Sequence, residues 1–455
     1  MRPSLAGCAA GRWSGASSRS SHSCGCSMGS RRSPSSSSSC RSSLRRSCSR
    51  RGGPDFSDTL AAPMDLQPLK QRAAARIDQA AAALDRLALA IHDHPELGYE
   101  ERFASLALAD YIAEQGLPIT RGAGGVETAF VSETKNGSGP TVAICSEYDA
   151  LPGIGHGCGH NLIATSGVGA YLGVAAVTTE LKGCVRLIGT PAEEGGAGKV
   201  RLHAAGVFDG VDAAMMFHPA DADVLDPLMV ALRVLQIEFR GKAAHAAASP
   251  YAGVNALDAL MLGWGAMSAL RQLVRSDSRI HGIITDGGQA SNIIPERAAA
   301  KIVVRAADPS YLGDLRRRVL ACFEGAATAT GCELRYEWGE AMDMVTTNQP
   351  MATAFFENAR GLGRELGSRR AGETSGSTDM GNISSVIPSI HPFLSVSDDR
   401  VPWHSREFAA AARTPRALET MHVAAKALAF TAIDLLGRPE LLKQAKAAFT
   451  PARAK

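Results

Sequence analysis

The densest concentration of chemically able side chains lies at His156-Gly157-Cys158-Gly159-His160. Its donors are separated by glycines, whose backbone freedom lets a segment curl around an ion. Thiolate and imidazole together suit zinc or another borderline transition metal. The same residues also fit a buried cysteine and two hydrogen-bonded histidines on a tight turn. The spacing is not that of a paired Cys-x-x-Cys knuckle, which makes a closed structural site the weaker alternative. Glu193-Glu194 follow an apolar run and precede Gly195-Gly196. One carboxylate of such a pair can bind metal while its neighbour handles a water proton, although an acidic pair also suits a helix N-terminus. His218 ends an apolar run before Pro219, where a hydrogen-bonded core histidine is the plainer reading. His404, in Trp403-His404-Ser405-Arg406-Glu407-Phe408, would otherwise be a surface loop residue. Asp149 could orient a ligand from behind or simply shape the turn before Pro152.

Taken together these segments suffice for two metals sharing a water. A metal pair lowers the pKa of bound water and clamps an oxyanion, and a free carboxylate nearby serves as general base. That is equipment for hydrolysing an amide. Two other readings stand beside it. Cys158 could be a nucleophile with His160 as its base, but one residue separates them and no third group is implied to orient the pair. A metal-bearing binding protein without catalysis would gain weight only if Glu193 or His245 were missing.

The fold must bring these residues to one place. Residues 66–113 read as helix, broken at His94-Pro95. Short apolar runs follow at 141–145, 184–188 and 213–217, each ending in polar residues and separated by helix-like stretches such as 162–181. Buried strands alternating with helices predict an α/β fold with a mostly parallel sheet. Ligands in such sheets bind beyond the carboxyl ends of the strands, where the candidate residues fall. The pattern then changes. Strand-like 230–240, helical 255–274, strand-like 280–285 and 297–305, helical 311–328 and strand-like 333–338 give the order β-α-β-β-α-β, the split ferredoxin-like unit. It is expected to be inserted: a catalytic domain of residues 64–225 and 341–455 would enclose a domain of residues 226–340. The final helix is expected over about 416–436.

Composition bounds the rest. Of 455 residues 45% are hydrophobic and 20% charged, enough to bury a large core. No apolar run reaches the ~18 residues of a membrane-spanning helix. The formal net charge is +3, but residues 1–54 hold ten Arg, nineteen Ser and no acidic residue. Without them 38 basic residues face 45 acidic ones, a net charge of −7, which argues against a nucleic-acid partner. Five of the ten cysteines (Cys8, Cys24, Cys26, Cys40, Cys48) lie in the same stretch and the other five are scattered. No disulfide framework is visible, and a reducing, cytoplasmic compartment is expected. Residues 1–63 are expected to be a disordered extension, or an over-extended start with translation beginning near Met64. If the Arg- and Ser-rich stretch is a real transit peptide, the destination is an organelle.

The chain resembles the metallo-aminoacylase and dipeptidase superfamily of dinuclear amidohydrolases, nearest its aminobenzoyl-glutamate hydrolase and β-alanyl-lysine dipeptidase-like branch. The matching pieces are His92-Asp93-His94-Pro95-Glu96-Leu97-Gly98, residues 147–152, 156–161, 191–196 and 241–245, Asn292-Ile293-Ile294-Pro295, residues 377–382 and residues 404–408. They run in family order. The resemblance implies two divalent ions (Zn, Mn or Co) held by Cys158, His160, Glu194, His218 and His404. It implies Glu193 as general base, Asp149 behind the ligands, and His245 polarising the scissile carbonyl, often from the partner subunit. Asn292 would hold substrate, with Arg305 as a candidate for the substrate carboxylate and His391 as a pocket-lining residue. The implied activity is hydrolysis of an N-acyl amino acid or dipeptide amide by metal-bound hydroxide. An aminobenzoyl-glutamate hydrolase or a specialised deaminating enzyme on the same scaffold is the alternative. The inserted unit would act as lid and homodimer contact, with neither nucleic acid nor membrane as partner. One departure stands out: many members carry His-x-Asp where this chain has Glu147-Tyr148-Asp149.

Overall fold

The computed structural model describes residues 64–368 and 376–450. The expectation of disorder or an over-extended start over 1–63 lies outside the described residues. Twelve strands follow in chain order: β1 Thr120–Arg121, β2 Phe130–Asn136, β3 Thr141–Ser146, β4 Gly183–Gly189, β5 Ala213–Met215, β6 His218–Ala220, β7 Ala231–Arg240, β8 Ser278–Asp286, β9 Arg297–Ala306, β10 Glu333–Met342, β11 Ser389–Ile390 and β12 Phe393–Ser395.

The first sheet has the order β1-β2-β4-β3-β5-β11. The β4–β3, β3–β5 and β5–β11 pairs are parallel, while β1–β2 and β2–β4 are antiparallel. The sheet is therefore mixed, with its parallel part in the middle and at one side. The antiparallel side departs from the expected mostly parallel sheet. Strand β2 buries Phe130 and Ser132 but exposes Glu133 and half-exposes Lys135, so it lacks the continuous apolar run of a buried parallel strand. In contrast β3 is buried from Val142 to Ser146.

Three helices, Gln67–Asp93, His160–Ala175 and Pro415–Gly437, pack on one another. The second of these is buried along nearly its whole length. Gly167 explains how it lies so close to the sheet, because a Cβ there would come within 2.0 Å of the Ser146 Oγ at the end of β3. This approach brings His160, the first residue of the helix, to the carboxyl end of β3.

The apolar run 213–217 does not carry His218 in the main sheet. Strand β5 ends at Met215, and His218–Ala220 forms a separate two-stranded parallel ladder with β12, His218 opposite Phe393. Pro219 has no N–H to give to a central strand, and a two-stranded ladder spares it that demand. The chain also does not end its helices near 436. A further helix, Pro439–Ala448, restarts at Pro439, a residue favoured in the first helical turn.

Strands β7 to β10 form a second, antiparallel sheet of order β10-β7-β9-β8. Helices Ala256–Leu270 and Pro309–Thr330 pack against one face over a core that includes Leu235, Ile237, Phe239, Ile302 and Val304. The period of two sends Leu232, Val234 and Val303 to the other face, where they cluster with Met342. Among the described residues no helix is long and apolar enough to cross a membrane.

Away from the site, one buried polar network ties three helices together. The Lys70 ammonium donates to Asp434 at 2.7 Å and to Asn358 at 2.8 Å, and the Asn358 amide donates to Asp434 at 2.9 Å. Removing one member of a buried ion pair strands the other. Lys70→Met should cost about 3 kcal/mol in denaturant unfolding while leaving kcat unchanged. Unchanged stability would show that Asp434 finds solvent or another partner.

Candidate metal centre

Each candidate donor sits where a strand ends or a helix begins. Glu147 and Asp149 follow β3, Glu193 and Glu194 follow β4, and His218 opens β6 just past β5. His160 starts its helix behind Gly159, whose φ is +77°. The glycine is needed there twice over, since a Cβ would also lie 2.6 Å from the Pro219 ring. His404 has φ +58° and precedes helix Arg406–Ala411, which Ser405 caps by accepting from Phe408 N at 3.0 Å. The His404 amide donates to the Gly157 carbonyl at 3.0 Å, fixing this loop against the Cys158 segment.

These segments converge. Ligand-capable atoms of Cys158, His160 and His218 lie within 4.8 Å of one another, as do those of Cys158, Glu194 and His404, and those of His160, Glu193 and Glu194. The His218 Nε2 is 3.4 Å from the Cys158 sulfur, and its Nδ1 donates to the Pro219 carbonyl at 2.7 Å, leaving Nε2 free to bind. His160 is oriented in the same manner: Nδ1 donates to Asp149 at 3.0 Å, and Nε2 points at Glu147 (3.5 Å) and Glu194 (4.0 Å). The other Asp149 oxygen accepts from Glu194 N at 2.8 Å. One buried carboxylate thus aims two of the candidate ligands.

Whether the cluster suits a cation is decided by its unpaired atoms. Glu147 Oε2, His160 Nε2 and Glu194 Oε1 are buried without a hydrogen-bond partner. Buried polar atoms are costly unless satisfied. A cation at their focus would satisfy them, and sulfur, imidazole and carboxylate suit a borderline divalent ion. The residues therefore fit metal.

Electrostatics separates the acids. Burial pushes Glu193 well above the usual carboxylate range, and neighbouring Glu147, Glu194 and Asp379 push it further. Burial opposes ionisation of Asp149 as well, but His160 and the Glu194 amide outweigh it and hold its pKa low. Burial, helped by the charge of His160, lowers His218 to about 3. It also raises the Cys158 thiol well above its ordinary value, whereas ligation to a cation deprotonates a thiol outright.

The structure adds two residues that the sequence did not single out. Lys199 is fully buried; its ammonium donates to Glu147 and, at 2.6 Å, to Asp379. Its backbone amide donates to the other Asp379 oxygen at 2.8 Å. Burial opposes the lysine charge, but Asp379 and Glu147 outweigh it and keep the pKa raised. Atoms of Glu147, Glu193 and Asp379 also lie within 4.8 Å of one another, so Lys199 compensates a buried acidic group beside the centre. This accounts for Glu147 in place of a histidine: one of its oxygens is bound to an ammonium and the other faces His160. Only the Glu193-Glu194-Gly-Gly context lay near Lys199 in sequence, and nothing there signalled its partners.

A cavity of about 240 Å³ opens over the cluster. Cys158, Glu193, Glu194, His218 and His404 line its floor, and Leu232, Val234, Val303 and Met342 of the second sheet form an apolar wall. Arg305 lines it too, donating to Ser377 at 3.1 Å while its Nε is buried without a partner. The remaining candidates lie elsewhere. His391 is fully buried with both ring nitrogens unpaired, 5.6 Å from the His218 ring, and does not line the cavity. His245 is exposed, accepting from Ala247 N and Ala248 N, and Asn292 is exposed beside it with its carbonyl accepting from Ala246 N. Neither lines the cavity of its own chain.

All four non-glycine residues with left-handed φ among the described residues surround this centre: Tyr99, Ala192, Ala197 and His404. Each such conformation costs about 1–3 kcal/mol and persists where surrounding structure imposes it.

The fold and centre define a metal-dependent hydrolase of amide bonds. Residues 143–429 match the model of the Peptidase family M20/M25/M40, and the chain belongs to that family. The Xaa-Arg dipeptidase of Mus musculus is 41% identical over 404 residues, covering 85% of this chain and 93% of that protein. A p-aminobenzoyl-glutamate hydrolase of Escherichia coli is 29% identical, covering 78% of this chain and 89% of the bacterial one. Among solved structures, a dinuclear metal-binding M20 peptidase from Bacillus subtilis shares the fold with a TM-score of 0.62 at 23% identity, covering 79% of this chain and 99% of that one.

If Lys199 compensates the acids around it, Lys199→Met should destabilise the protein by about 3–5 kcal/mol in denaturant unfolding. Adding Glu147→Gln should recover a large part. A double variant no more stable than the single one would contradict the charge argument.

Proposed function

We propose that this protein is a dipeptidase that cleaves the amide bond of small dipeptides or N-acyl amino acids, with Xaa-Arg dipeptides as the first substrates to test. The observation that carries the reading is the convergence of Cys158, His160, Glu194, His218 and His404 beneath a cavity that also holds Glu193. Similarity to the Mus musculus dipeptidase over 93% of its length supports the substrate class.

Two divalent ions held by those five side chains would supply Lewis acidity, lower the pKa of water and share an oxyanion. The protein's own residues do the rest. Glu193, its carboxyl raised by burial and by Glu147, accepts a proton from the attacking water and later delivers it to the leaving nitrogen. Asp149 keeps His160 in the tautomer that leaves Nε2 free. Arg305, with an unpaired buried Nε, is placed to bind the substrate carboxylate. The apolar wall excludes water from the other side of the substrate.

Asp149 supplies the orienting group that the sequence did not reveal for a Cys158–His160 pair, so a thiol nucleophile is the second reading. Thiol alkylation separates them: a ligand sulfur is protected by metal, whereas a nucleophile is labelled and the enzyme killed. Metal-protected labelling without loss of turnover supports the first.

His245 and Asn292 act from a partner subunit on this reading, because neither reaches the cavity of its own chain. The second sheet would make that contact and close over the substrate. Its edge strand β8 carries exposed Ile283, and the neighbouring Leu273 is 73% exposed. The compartment proposed is the cytoplasm.

Two experiments test the reading. Glu193→Gln should retain bound metal, measured by elemental analysis, while losing about 10²–10⁴-fold in kcat; near-normal turnover would remove Glu193 as base. Mixing refolded His245→Ala and Glu193→Gln subunits should restore about a quarter of wild-type activity, since half the dimers then hold one complete site. No recovery from a mixture shown to contain heterodimers would place His245 outside the reaction.

A further inference from the structure

The segment around Gly98 to Glu101 touches the turn bearing Glu193 and Glu194 at three points. Fully buried Glu101 accepts from Ala192 N at 2.8 Å. The Tyr99 hydroxyl donates to the Gly196 carbonyl at 2.6 Å. A Cβ on Gly98 would lie 2.9 Å from the Ala192 Cβ, so the two backbones meet only because this residue is glycine.

The turn does not hold itself. Ala192 and Ala197 are both left-handed, at φ +59° and +49°, a conformation that L side chains disfavour. Between them Glu194 (φ −74°, ψ 50°) and Gly195 (φ +109°) depart from helical angles. Contacts from outside therefore decide where the two carboxylates point. Asp149 takes the Glu194 amide, and Asp379 takes the amide of Lys199 just beyond. The bond to Ala192 N is the anchor immediately ahead of Glu193. Tyr99 is itself left-handed at φ +67° and lies under the Arg201 guanidinium, 5.4 Å from its ring centroid.

We infer that residues 98–101 are a backbone clamp for catalysis, in which Glu101 and Tyr99 are positioning residues that fix the direction of Glu193 through Ala192 and Gly196. Neither lines the cavity, so neither meets substrate. The clamp rests on the assignment of Glu193 as the base. Burial pushes the Glu101 carboxyl up to about 7, so a neutral glutamine, which keeps the accepting oxygen, is a close substitute near neutral pH.

The test uses full-length, metal-loaded protein with alanyl-arginine as substrate, and hydrogen–deuterium exchange over residues 190–200. Glu101→Leu should lower kcat about 10–100-fold with KM held within about three-fold, as expected for a displaced catalytic group. Amides of 192–198 should exchange faster, with metal content unchanged. Glu101→Gln should recover most of kcat and protection. Tyr99→Phe should move both in the same direction by a smaller factor, about 3–10-fold in kcat. Unchanged exchange in folded Glu101→Leu, or Glu101→Gln as impaired as Glu101→Leu, overturns the clamp. If Glu101→Leu does not fold, Tyr99→Phe decides, and unchanged exchange there overturns it. Normal turnover in Glu193→Gln would instead indict the base. Faster exchange with normal turnover in Glu101→Leu, while Glu193→Gln is inactive, overturns the catalytic purpose of the clamp alone.

Discussion

Polar atoms buried without a partner weigh against folding, yet Glu147 Oε2, His160 Nε2 and Glu194 Oε1 face one another in the interior. Around them the chain uses its other interactions to aim these groups, not to satisfy them. Asp149 occupies the far nitrogen of His160, the Pro219 carbonyl occupies the far nitrogen of His218, and Lys199 occupies one oxygen of Glu147. Each donor is left with a single free position, and those positions share a focus. A cation there turns a set of penalties into a set of bonds. The left-handed backbone at Ala192, Ala197 and His404 has the same origin, because it is tolerated only where the packing around it is over-determined.

The sheet makes this convergence possible. Parallel strands β3, β4 and β5 end on one side, and the loops that leave them deliver Glu147 and Asp149, Glu193 and Glu194, and the approach to His218. Gly167 lets helix His160–Ala175 lie close enough to β3 for His160 to join them. The antiparallel sheet of β7–β10 gives the cavity its apolar wall through alternate residues of β7 and β9. Its other face is covered by its own helices. Sequence-distant elements therefore meet in one cavity, chemistry from one sheet and shape from the other.

Much of this could be read from residue order. The glycine-spaced His156–His160 segment, the Glu193-Glu194 pair and the isolated His218 and His404 are chemically distinctive residue types, and the alternation of buried strands with helices placed them at strand ends. What could not be read was anything carried by a residue type with an ordinary alternative. Lys199 looks like a surface lysine in a helix, and its burial between Glu147 and Asp379 depends on contacts 52 and 180 residues away. Strand β2 was hidden because its edge position mixes polar with apolar residues. His391 has the chemistry of a pocket residue but lies behind His218, a matter of where β11 and β12 turn. The role of Glu101 was invisible because its partner is a backbone amide, which any residue could have supplied.

The most direct measurement is anomalous diffraction from crystals grown with manganese or zinc. Two anomalous peaks should appear among Cys158, His160, Glu194, His218 and His404, each within bonding distance of their free atoms. A protein that turns over its substrate while showing no peak among these side chains at full metal loading would contradict the account.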